Sequence, residues 1–61
     1  MLKLKGKRVE KGLTQEGMAK LLGIEKSAYA RKEKGAVQFR LDEIKKILEI
    51  LECDFEDIFL D

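Results

Sequence analysis

At 61 residues the chain has room for one domain, spanning residues 1–61, and a domain of this size buries only about 60% of the surface its unfolded form exposes, which excludes a deep substrate cavity. Its residues are 44% hydrophobic and 41% charged, the balance of a soluble globular chain, with no run of about 18 apolar residues for a membrane span and no apolar segment after the basic start to make a signal peptide. The net charge of +1 conceals a division: residues 1–40 carry eleven basic side chains against four acidic, a net +7, and residues 41–61 carry two against eight, a net −6, which reads either as a phosphate-facing side with acid turned away or as two solvated faces.

Apolar spacing is helical nearly throughout, without alternating strand-like runs and without proline, and predicts five helices in an all-α, compact bundle. The first covers residues 2–11, with Leu2, Leu4 and Val9 inward; Gly12 supplies the left-handed residue that ends it, and Gly6 is a weak point inside it. The second runs from 14 to 22, capped by the Thr14 hydroxyl. Met18, Leu21 and Leu22 are its inward positions, and Gly23 stops it. The third covers 25–34 and closes at Gly35. Only Tyr29 and the stem of Lys32 are available to bury, and a helix with so thin an apolar stripe presents something outward. The loop 36–40 leads to the fourth helix, 41–51, where Leu41, Ile44, Ile47, Leu48 and Leu51 recur at three and four residues and mark core. The last is short: Asp54 and Asp57 form a capping-box arrangement, with Phe55, Ile58 and Phe59 inward.

Two short helices joined by a tight glycine turn are the layout of a helix-turn-helix DNA reader. Leu13-Thr14-Gln15-Glu16, Met18-Ala19, Gly23-Ile24, Tyr29 and Glu33-Lys34-Gly35 fall in the spacing of the Cro and phage-repressor-like, or Xre-like, helix-turn-helix family. The resemblance extends from Arg8 and Gly12 to the Asp54-Phe55-Glu56-Asp57-Ile58 ending, and implies a lambda-repressor-like fold with helices 2 and 3 as the reading unit. Ala19 sits where those helices approach closely, Gly23 allows the turn, and Ile24 and Tyr29 fill the space beneath it. In relatives of this kind the pair matching Arg8 and Glu33 forms a partly buried ion pair; the alternative is two independent surface charges.

The resemblance also distributes roles on double-stranded DNA, where phosphate contacts hold register and side chains on the third helix read base edges. Lys26, Ser27 and Arg31 fall at reading positions, with Ala30 placed to touch a thymine methyl; Lys and Arg favour guanine O6 and N7. Gln15, Lys34, Gln38 and Arg40 match phosphate positions, with Lys7 and Lys11 as weaker candidates. Gln15 also reads as a plain helix-start residue. Such modules bind as two-fold dimers on palindromic operators, two reading helices about 34 Å apart. Ile58, Phe59 and Leu60 are the candidate homodimer contact, or else pack into their own core.

Four features depart from the family pattern. Glu25 stands where Ser or Thr caps the reading helix, Gly17 lies inside the second helix at a cost of about 1 kcal/mol against Ala, and Lys32 replaces an apolar residue, which requires its head to reach solvent. With proline missing after Gly35, Val37 and Phe39 are expected to anchor that loop by burial. No His is present and Cys53 is alone, which leaves no disulfide, metal-ligand set or activated nucleophile, so no enzyme activity, metal or cofactor is expected and the reading is cytoplasmic. The sequence therefore predicts a dimeric DNA-binding repressor. Its rival is an antitoxin-like or other interaction module that holds a protein partner through the acidic C-terminal half.

Overall fold

The corners of the fold are set by one repeated turn. Gly12, Gly23 and Gly35 have φ of 74°, 73° and 95°; at the second, Gly23 N–H donates to the Lys20 carbonyl and Ile24 N–H to the Ala19 carbonyl, and at the third, Gly35 N–H donates to Lys32 and Ala36 N–H to Arg31. This is the Schellman termination, which needs a left-handed residue just past the helix. The computed structural model describes residues 3–59, and between these turns they form α1 (Leu4–Glu10), α2 (Gln15–Leu22), α3 (Lys26–Lys34), α4 (Leu41–Leu51) and α5 (Phe55–Phe59), with no strand among the described residues. A fourth turn of the same kind ends α4 without glycine: Glu52 takes φ 53° while Cys53 N–H donates to the Leu48 carbonyl.

At the start of α2, Thr14 accepts from the Gly17 N–H at 2.9 Å. A Cβ added at Gly17 would stand 3.2 Å from that same hydroxyl oxygen, so the cap and the glycine fit one another and the gain from an alanine is offset by crowding. Asp54 makes half of its expected box, its N–H donating to Asp57 Oδ2 at 2.9 Å.

Leu4, Met18, Ala19, Leu22, Tyr29, Ile47, Leu51 and Ile58 form the buried core. Helices α2 and α3 pack against each other most closely, α1 lies on α5, and α2 also meets α4. Ala19 is buried in that α2 surface. The Lys3 N–H donates to the Ile58 carbonyl at 2.9 Å and ties the two ends together.

Five of the expected burials are corrected, four of them on helices and one in the loop after α3. Leu4 and Arg8 fix the inward side of α1, and Val9, about 100° further round, is exposed. Met18, Ala19 and Leu22 define the inward side of α2, so Leu21 falls off its edge and is 51% exposed. Leu41, in the first turn of α4, lies beside rather than within the Ile47–Leu51 stripe and is 69% exposed. Phe55 is exposed and stacks on Phe59, ring centroids 4.9 Å apart. In the loop after α3, Phe39 alone anchors by packing, against Tyr29 and Phe59 at centroid distances of 6.0 and 6.1 Å, while Val37 is exposed. The expected inward Leu2 and the expected contact Leu60 lie outside the described residues.

Candidate nucleic-acid interface

A buried polar hub holds α3 against α1 and α2. Arg8 Nε donates to Glu33 Oε2 at 2.8 Å and Arg8 Nη2 to Oε1 at 3.3 Å, while Arg8 Nη1 donates to the Leu13 carbonyl at 2.6 Å. The Arg8 and Glu33 side chains are only 8% and 6% exposed, so they are partners in the interior and not independent surface charges. Tyr29 Oη donates to Glu33 Oε2 at 2.6 Å and Gln15 Nε2 to Oε1 at 3.1 Å. Burial pushes the Glu33 carboxyl upward, but the hydrogen bonds from Arg8, Tyr29 and Gln15 outweigh it and hold it below the usual carboxylate range. Burial and the adjacent Glu33 push the Tyr29 phenol well above its ordinary value, so it stays a donor.

With Tyr29, Lys32 and Glu33 turned inward, the rest of α3 faces out. At about 100° per residue, Lys26, Ser27, Ala30, Arg31 and Lys34 share an arc of roughly 140°; Lys26, Ser27, Arg31 and Lys34 are exposed and Ala30 is half-buried between them. Gln15, half-buried, borders the grooves on either side of the start of this face. Its bond to Glu33 uses one amide hydrogen and leaves a second donor and a carbonyl for another partner. Glu25 occupies the N-cap position in extended backbone, and its exposed carboxylate makes no cap hydrogen bond. The first-turn amides of α3 therefore have no side-chain cap.

Lys32 does not send its head to solvent. Its Nζ donates to Glu43 Oε1 at 2.7 Å and Oε2 at 2.8 Å, with side chains 13% and 6% exposed, and Glu43 Oε1 also accepts from the Arg40 N–H at 2.8 Å. Burial raises the Glu43 carboxyl, yet the Lys32 and Arg40 hydrogen bonds pull it below the ordinary range. This second ion pair locks the end of α3 to the start of α4 and brackets the loop carrying Gln38 and Arg40, both exposed. Arg40 Nε lies 3.5 Å from Asp42 Oδ1 in solvent. No spacing in the sequence marked Glu43 as buried.

The remaining expected positions separate. Lys7 lies on the far side of α1 from the α3 face, near Cys53, whose thiol burial pushes up while the Lys7 charge pulls it down. Lys11 is held by Glu52 at 2.8 Å on that same side. The α1 lysine that borders the grooves beside Gln15 is Lys5, a position the family resemblance does not single out. Ile58 is fully buried; it fills the core under α1, so it is not available to a second copy. Phe59 is half-buried and shares a shallow apolar groove with Val37, Ile44 and Phe55. Among the described residues no group of His, Cys, Asp or Glu could hold a metal ion, and no helix is long and apolar enough to cross a membrane.

A family model described as helix-turn-helix matches residues 4–58. No curated protein matches the chain.

Proposed function

The chain belongs to the Cro/C1-type, Xre-like helix-turn-helix family, and on that footing we propose that it is a cytoplasmic, sequence-specific repressor that binds double-stranded DNA as a homodimer. The observation that carries this reading is the outer arc of α3, where Lys26, Ser27, Ala30, Arg31 and Lys34 have no core role while Glu33 at the edge of that arc and Lys32 behind it fix the helix. A rigid helix with a basic, polar outer face suits the major groove. Lys26, Ser27, Ala30 and Arg31 read base edges; Gln15, Lys34, Gln38 and Arg40 hold phosphates around them.

The second copy packs on the apolar surface around Phe59, with exposed Val37 and Phe55 beside it. That surface adjoins the loop after α3, and the 25 × 23 × 19 Å dimensions of the chain allow two touching copies to set their α3 helices on successive DNA turns, about 34 Å apart. Affinity for a mixed-sequence duplex, measured across a salt series, tests the proposal. Log K is predicted to fall by about 0.9 per phosphate neutralised, giving a steep slope for several contacts; no binding to any duplex at low salt would refute it.

A further inference from the structure

Helix α1 brings a third element to the α2–α3 face. Its rotation is fixed at buried Leu4 and at Arg8, which is held by Glu33 and the Leu13 carbonyl. With those two inward, Lys5 and Lys7 leave the helix about 200° apart. Lys5 borders two neighbouring grooves. One is walled by Thr14, Gln15, Glu16 and Lys26, at the start of α2, and the other by Gln15, Ala30 and Lys34, along α3.

Charge in these grooves favours an anion. Arg8 and Glu33 neutralise each other, which leaves Lys5, Lys26 and Lys34 against the exposed carboxylate of Glu16. Lys5 is itself exposed and makes no ion pair among the described residues, in contrast to Lys11, whose ammonium is engaged by Glu52. A lysine of this kind, a compact charge on a flexible stem, matches a phosphate oxygen better than the planar pattern of a base edge. Gln15 lies in both grooves beside it, with one amide hydrogen uncommitted. We propose that Lys5 is a phosphate-contacting residue of the DNA interface, acting next to Gln15, and that Lys7, on the opposite side of α1, makes no such contact.

This assignment rests on the DNA-binding reading. Its test compares Lys5→Ala with Lys7→Ala, each of which removes one positive charge, on a mixed-sequence duplex over a salt series, with circular dichroism melts to show that both variants fold. Lys5→Ala is predicted to reduce the magnitude of the salt slope by about 0.9 and to weaken all duplexes alike. Lys7→Ala is predicted to keep the wild-type slope. Equal slopes for wild type and Lys5→Ala, or equal reductions in both variants, overturn the assignment while leaving the DNA-binding reading in place. A wild-type chain that binds no duplex overturns both.

Discussion

Two carboxylate oxygens of Glu33 receive four donors: Arg8 Nε and Nη2, the Tyr29 hydroxyl and the Gln15 amide. One side chain thus connects the interior of α1, the reading helix and a phosphate candidate on α2. Removing it leaves Arg8 buried with only the Leu13 carbonyl as a partner and leaves the Tyr29 hydroxyl without its acceptor. Glu33→Ala is predicted to lose about 3 kcal/mol in a urea titration, a large share of the roughly 3 to 9 kcal/mol available to a chain of this size. The same network sets the acid limb of stability. Glu33 and Glu43 have folded-state pKa values below those of the unfolded chain, so their contribution is complete above about pH 4.3 and is lost as the pH falls through the lowered values.

Between elements, the Lys32–Glu43 pair stands where an apolar contact between α3 and α4 would have served. Lys32→Met alone is predicted to cost about 2 kcal/mol because it leaves a buried carboxylate held only by the Arg40 N–H, whereas Lys32→Met combined with Glu43→Gln keeps an acceptor for that N–H and is predicted to be close to neutral. Melting both single variants and the double variant gives the coupling directly. This pair also shows where the sequence ceased to be legible. Turn chemistry was readable because Gly12, Gly23, Gly35 and Thr14 answer to local backbone geometry alone, and the α4 stripe was readable at Ile47 and Leu51. Ends of stripes were not: Val9, Leu21 and Leu41 are apolar residues at roughly helical spacing whose exposure is decided by which neighbour reaches the core first. Nor was the left-handed Glu52, since that turn carries no glycine. At the site, the α3 outer face followed from its lack of apolar residues, but that Lys5 and not Lys7 borders the grooves beside Gln15 depends on the rotation of α1, which a buried arginine fixes.

At the scale of the molecule, exposed charge among the described residues is unevenly divided, although Lys45 and Lys46 are exposed on α4. Lys5, Lys26, Arg31 and Lys34 gather around α2 and α3, while Glu49, Glu52, Asp54, Glu56 and Asp57 are exposed on α4, α5 and their connection. On the basic side the exposed carboxylates of Glu16 and Glu25 remain, but the net positive charge there would steer a duplex's orientation as well as its rate of encounter. The apolar groove at Phe59 lies beside the loop following α3, so in the proposed dimer the pairing of two copies would also place the two α3 helices. On the proposed reading, the outer face of α3 recognises base sequence. Selection of bound sites from a random duplex pool, run with wild type and with Arg31→Ala, tests it most directly. Wild type is expected to select an inverted repeat, and Arg31→Ala to show a relaxed preference at one base pair of each half-site, worth about 1 to 3 kcal/mol; uniform weakening of every sequence with the preference intact would refute base reading by α3.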